Sequence, residues 1–127
     1  DIERFGDQAS DIGDLVYTMP GERYIKKLEH ITAMGNLAEK MVRESVDSFI
    51  SNNEALANEV IALDDKMDDL FLTVKKELIE LIKKDGANGD QAIELMMVAK
   101  YLERIGDHAV NVAEWTKYNE TGVHEKF

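Results

Sequence analysis

The chain has 127 residues, a formal net charge of −11 and no cysteine, and 44% of its residues are hydrophobic. This length predicts one domain, and the lack of cysteine excludes a disulfide framework and any thiolate metal site. The negative charge disfavours nucleic acid and anionic membrane surfaces, so cations and basic protein surfaces are the expected partners. Apolar runs of only a few residues predict no membrane insertion. We expect a cytoplasmic protein.

A single proline and apolar residues spaced three and four apart indicate an all-α fold. The first predicted helix, from residue 1 to about 18, ends at the turn signal Met19-Pro20-Gly21. The second helix runs from about residue 22 to 50, and a polar break at 51–53 supplies a capping residue for the third, from about 54 to 84. Glycine and aspartate residues at 85–90 predict a turn with Asp90 as N-cap, and a last helix covers about 91 to 118. Residues 119–127 lack periodicity and are predicted to be a loosely ordered tail.

An internal repeat explains the first helix, which has no partner helices of its own. Residues 2–12 match residues 102–112 at an offset of 100, with five identical positions and a shared Glu-Arg-x-Gly-Asp-x-Ala core. Residues 20–118 are therefore expected to form a complete antiparallel three-helix bundle. Residues 1–19 are expected to be the third helix of a preceding, truncated repeat in a tandem protein of roughly 200 residues.

Acidic side chains four residues apart recur on the predicted helices. Glu103 and Asp107 adjoin on the last helix, Asp64 and Asp68 on the third, and the repeat reproduces the first pair at positions 3 and 7. Helical geometry places these pairs on the outer shoulders of the bundle, and Asp64 and Asp68 are expected to face a neighbouring helix. Like charges at this spacing destabilise a helix unless a cation offsets them. The pattern predicts a site for Mg²⁺, Mn²⁺, Fe or Zn²⁺, or for a basic partner protein.

Sequence motifs for catalysis are missing from the chain. It contains no GxxxxGK[ST] loop, GxSxG elbow, HExxH motif or cysteine nucleophile. A ferritin-like di-iron centre needs Glu-x-x-His, and none of the three histidines has a glutamate three residues before it. His108 beside Asp107 remains a possible ligand. Met34, Met41, Met96 and Met97 are expected to be packing residues, Trp115 and Tyr118 are expected to anchor the last helix, and Arg104 is expected to pair with neighbouring acids. The missing Glu-x-x-His motif weakens the hypothesis of a di-iron enzyme.

The sequence resembles the PhoU family of phosphate-transport accessory proteins. The resemblance rests on the run Leu-Glu-Arg-Ile-Gly-Asp-His at 102–108 and its continuation to Trp115, on the copy at 1–7, and on residues 41–47 and 120–122. It implies paired three-helix bundles that carry metal clusters on acidic E/DxxxD motifs. Transferred residue by residue, the implied metal ligands are Asp64, Asp68, Glu103 and Asp107, together with Glu3 and Asp7 of the first repeat. Gln8 stands where His108 stands in the second repeat, which weakens the first site.

The resemblance also implies a function and partners. It implies a non-enzymatic cytoplasmic negative regulator of phosphate uptake and of the phosphate-starvation response. The implied partners are the ATP-binding subunit of a phosphate ABC transporter and the sensor histidine kinase of a two-component system, and the protein is expected to be a homodimer. Two alternatives stay open: a PhoU-like domain attached to a phosphate transporter or other membrane protein, and a carboxylate-bridged metal enzyme.

Overall fold

The computed structural model describes residues 29–121, with side chains described as far as Tyr118. Three helices make up this part: α1 (Glu29–Ser51), α2 (Glu54–Lys84) and α3 (Gly89–Thr121). Each helix packs against the other two, so they form an all-α bundle. The predicted helix over residues 1–18 and its acidic residues Glu3 and Asp7 lie outside the described residues.

A two-residue turn joins α1 to α2. Asn52 adopts a left-handed backbone conformation with φ of 52°, which asparagine tolerates better than most residues. The backbone N–H of Asn53 donates to the Ser48 carbonyl at 2.9 Å, which satisfies a carbonyl that the helix end leaves free. The Asn53 side chain then accepts from the Leu56 N–H at 3.0 Å and caps α2. The predicted capping residue before Glu54 is thus Asn53.

The second turn differs in detail from the sequence prediction. Asp85 accepts from the Ala87 N–H at 3.0 Å, and a short 3₁₀ turn follows at Gly86–Asn88. The Asn88 side chain donates to the Leu81 carbonyl at 2.9 Å, which ties the turn to the end of α2. Because α3 begins at Gly89, Asp90 lies inside its first turn and is not the N-cap. There its negative charge interacts favourably with the positive end of the helix dipole.

The core lies along the axis where the three helices meet. Its largest fully buried apolar side chains come from all three helices: Ile31, Met34, Met41, Val60, Met67, Val74, Leu78, Leu95, Leu102 and Ile105. A buried polar contact between α1 and α3 supplements them, because the Ser48 and Thr116 hydroxyls lie 3.1 Å apart. Gly106 on α3 is also buried, and it lies against the side chains of Met41 and Met67.

Several residues at the outer face of α3 differ from the packing that we predicted. Met97 is 68% exposed and Trp115 is 52% exposed, so Met97 does not fill the core and most of the Trp115 surface faces solvent. Met96, in contrast, packs partly buried against the core. The helix also continues to Thr121, three residues beyond its predicted end. Within the described residues, no helix is both long and apolar enough to cross a membrane.

Candidate functional site

Two neighbouring helices bring four of the predicted acidic residues together. Asp64 and Asp68 lie one turn apart on α2, and Glu103 and Asp107 lie one turn apart on α3. Electrostatic repulsion from both α3 residues acts on each of the α2 aspartates. The two i,i+4 pairs therefore face each other across the α2–α3 contact, and we refer to these four residues as the acidic cluster.

Asp64 is the innermost aspartate of the acidic cluster. Its side chain is half-buried, whereas Asp65, Asp68 and Asp107 are exposed. The Asp64 Oδ1 atom is buried and has no hydrogen-bond partner, and it is the one such side-chain atom among residues 29–118. A buried carboxylate oxygen without a partner is costly, because water no longer solvates it and no protein donor replaces the water.

The environment of the acidic cluster changes the protonation of its aspartates. Burial, followed by repulsion from Asp68, Asp107, Asp65 and Glu103, raises the pKa of Asp64 above its usual range. Burial, followed by repulsion from Glu103 and Asp107, raises the pKa of Asp68 in the same direction. Both effects disfavour the charged forms, so the ionised cluster is electrostatically unfavourable without a cation.

Glu103 has a basic partner that our sequence analysis did not identify. The Lys100 ammonium donates to Glu103 Oε1 at 2.9 Å, and it also lies 5.2 Å from the centre of the Phe71 ring on α2. The Glu103 side chain is only 17% exposed, so it is less of a surface group than helical geometry alone predicts. The i,i+3 spacing of Lys100 and Glu103 is the sequence signal that could have identified this pair.

Two other predicted residues, which lie beside Glu103 and Asp107 in the sequence, are exposed. Arg104 is exposed, and it makes no ion pair with any residue of the described chain. His108 is exposed as well. Asp69 lies on the exposed side of α2. The acidic cluster itself consists of four carboxylates, and Lys100 is in an ion pair with one of them.

The chemistry of the acidic cluster fits a hard cation. Carboxylate oxygens from two helices, one of them buried without a donor, match the ligands that Mg²⁺, Mn²⁺ and related ions prefer. In the described chain, however, no three histidine, aspartate or glutamate side chains converge closely enough to hold a metal ion. Mutual repulsion keeps carboxylates apart when no cation lies between them. The residues thus supply suitable ligands that would have to reorient around an ion.

The fold and this site define a class of protein: an antiparallel helical bundle with a shared acidic cluster on one pair of helices. The sequence matches the family model described as PhoU domain over residues 31–116, which cover α1 to α3 almost completely. The chain therefore belongs to the PhoU domain family.

Relatives with known names extend the match beyond this domain. A "Phosphate-specific transport system accessory protein PhoU homolog" from Clostridium acetobutylicum is 37% identical over 122 residues, which are 96% of this chain and 56% of the relative. A relative with the same name from Aquifex aeolicus is 38% identical over 104 residues, which are 82% of this chain and 47% of the relative. The chain spans about half the length of the curated relatives that it matches.

Proposed function

We propose that this chain is part of a regulator of phosphate transport. The observation that carries the proposal is membership of the PhoU domain family together with relatives named as accessory proteins of a phosphate-specific transport system. In this proposal, the protein acts in the cytoplasm without enzymatic activity and represses phosphate uptake and the phosphate-starvation response. It links the ATP-binding subunit of a phosphate ABC transporter to a sensor histidine kinase, and it acts as a homodimer.

The charge of the chain supports a role in protein binding. A formal net charge of −11 attracts basic surfaces of partner proteins and repels nucleic acid. Deletion of the gene that encodes this chain is expected to leave phosphate uptake high in phosphate-rich medium. Uptake of labelled phosphate measures this effect, and the intact gene returned on a plasmid serves as the control. Uptake that stays repressed in the deletion strain would contradict the regulatory role.

The acidic cluster adds a second part to the proposal, which is metal binding. Asp64, Asp68, Glu103 and Asp107 would hold a divalent or iron-type ion, with Fe, Zn, Mn and Mg as the candidates. The ion would supply positive charge that offsets repulsion among the carboxylates and would give the buried Asp64 oxygen a partner. By the repeat in the sequence, Glu3 and Asp7 are proposed to belong to a second, similar site.

Metal analysis of the purified chain tests this part. We expect bound metal in the wild type and little or none in a Glu103→Ala/Asp107→Ala variant, with a melting temperature that falls on chelation only in the wild type. The control is Glu59→Gln, which removes one exposed carboxylate from α2 without a charged residue three or four positions away. It should bind metal like the wild type. Wild-type protein without metal, whose melting is unchanged by added Mn²⁺ or by chelator, would contradict the metal site.

A further inference from the structure

Lys100 links the two helices that carry the acidic cluster. Its ammonium contacts Glu103 Oε1 at 2.9 Å within α3 and lies 5.2 Å from the Phe71 ring centre on α2. An ammonium over an aromatic face gains electrostatic attraction from the ring. These two contacts hold the charge at the α2–α3 contact, although the lysine side chain is 61% exposed.

Two other ion pairs of the described chain, Lys83 with Glu80 and Arg43 with Glu39, lie elsewhere and are more exposed. Lys83 approaches Glu80 only to 3.8 Å, and both side chains are at least 70% exposed. Arg43 and Glu39 are 62% and 49% exposed. Lys100 is thus in an ion pair with the acidic cluster, and its partner Glu103 is only 17% exposed.

We propose that Lys100 is an internal counter-ion of the acidic cluster. Lys100 neutralises Glu103 while no metal is bound, and a metal ion displaces it. This inference rests on the metal site of the proposed function. A divalent ion and an ammonium group repel each other, so both cannot occupy the same carboxylate without loss of binding energy. Lys100 thus lowers the affinity of the site for metal and stabilises the metal-free fold.

Three substitutions separate this role from simple packing. Lys100→Gln removes the charge, and Lys100→Arg keeps it. Lys83→Gln makes the same change of net charge at an ion pair far along α2 from the cluster. We measure the melting temperature in chelator at low ionic strength, and we measure Mn²⁺ affinity by isothermal titration calorimetry.

Without metal, Lys100→Gln is expected to melt at a lower temperature than Lys83→Gln. It is also expected to bind Mn²⁺ about three- to tenfold more tightly than the wild type, because one repelling unit charge is removed near the ion. Lys100→Arg should resemble the wild type. Salt at about 1 M should reduce the difference in affinity, since the screening length then falls to about 3 Å.

The outcomes distinguish this inference from the proposal on which it rests. If the wild type binds Mn²⁺ and Lys100→Gln binds it equally or more weakly, the counter-ion role is wrong and the metal site stands. If none of the variants binds Mn²⁺, the metal site itself is wrong, and displacement of Lys100 is wrong with it. A Lys100→Arg variant that behaves like Lys100→Gln would show that the positive charge is not what matters.

Discussion

Asp64→Asn is expected to stabilise the metal-free protein, although it changes a half-buried residue of the bundle. Substitutions at such positions usually destabilise. Here the carboxylate lies one turn from Asp68 and faces Glu103 and Asp107, and its buried Oδ1 has no hydrogen-bond partner. An amide of nearly the same shape removes the charge and keeps the packing.

The size of the effect follows from the neighbouring charges. Like charges at i,i+4 cost about 0.2–0.5 kcal/mol for each pair on a helix. Asp64 forms one such pair with Asp68, and it is repelled across the helix contact by Asp107 and Glu103. We therefore expect a gain of about 1 kcal/mol in the free energy of unfolding, which raises the melting temperature by about 3–6 °C for a domain of this size.

The effect also depends on pH, with a defined sign. The pKa of Asp64 in the folded protein is raised above its usual value of 3.8, so the folded state binds a proton more readily than the unfolded state. The penalty of the ionised group is fully present above the raised pKa. It decreases as the pH falls through the raised pKa and disappears below the unfolded value. The advantage of Asp64→Asn over the wild type is thus largest near pH 7 and vanishes towards pH 3.

Thermal melts of both proteins, recorded by circular dichroism in chelator from pH 3 to pH 8, test this prediction. Glu59→Gln on the exposed side of α2 is the matched control and should change the melting temperature little at any pH. Saturating Mn²⁺ is expected to reverse the order, because a bound ion stabilises only the protein that keeps the ligand. An Asp64→Asn variant that melts below the wild type in chelator at pH 7 would refute the argument.

Two further substitutions test the packing and the capping of the helices. Gly106→Ala is expected to stabilise the fold by about 0.5–1 kcal/mol, because alanine is more favourable than glycine in a helix interior. The added Cβ would meet Met67 at 3.5 Å and Met41 at 3.6 Å, which is ordinary van der Waals contact. A lower midpoint in urea would show that the space between Gly106 and the two methionines has no room for a methyl group. Asn53→Ala is expected to cost about 1 kcal/mol through loss of the cap on the Leu56 N–H, and an unchanged urea midpoint would mean that the cap contributes nothing.

The turns between the helices were predictable from the sequence because their signals are local. The bounds of α2, Glu54–Lys84, agree with the prediction, since a polar break precedes the helix and a turn sequence follows it. The start of α3 was less predictable. Asp90 has the side chain of an N-cap, but Gly89 already belongs to the helix after the short turn at Gly86–Asn88. The competing signal was a 3₁₀ turn, for which the sequence offers no distinct pattern.

Burial in the core was predictable where the helical period determined it and less so elsewhere. Val60, Met67 and Val74, which follow one another at steps of seven along α2, are buried. Leu63 and Leu70, each three residues after one of these positions, are only partly buried. A periodic pattern defines the direction of a helix face, but the width of the buried stripe depends on how closely the neighbouring helices approach.

In the acidic cluster, too, the spacing within each helix was predictable and the contacts between helices were less so. Spacing along each helix predicted both acidic pairs, and it predicted that Asp64 and Asp68 face a neighbouring helix. The i,i+3 pair of Lys100 and Glu103 was detectable from the sequence, but the contact of Lys100 with Phe71 on the other helix was not. A contact between helices has no signature in the sequence of either helix alone.

Unfavourable electrostatics in the described chain are concentrated at the acidic cluster. Elsewhere its buried polar side chains are satisfied: Ser45 donates to the Val42 carbonyl, and the Ser48 and Thr116 hydroxyls are in contact. The one buried side-chain atom without a partner among residues 29–118 is Oδ1 of Asp64. Local rules for stability are most often broken where a protein binds something. Because the pair of Lys100 and Glu103 offsets only part of the repulsion, a cation bound as we propose would relieve the remaining unfavourable charge. The free energy lost by the metal-free fold would then contribute to the affinity for that ion.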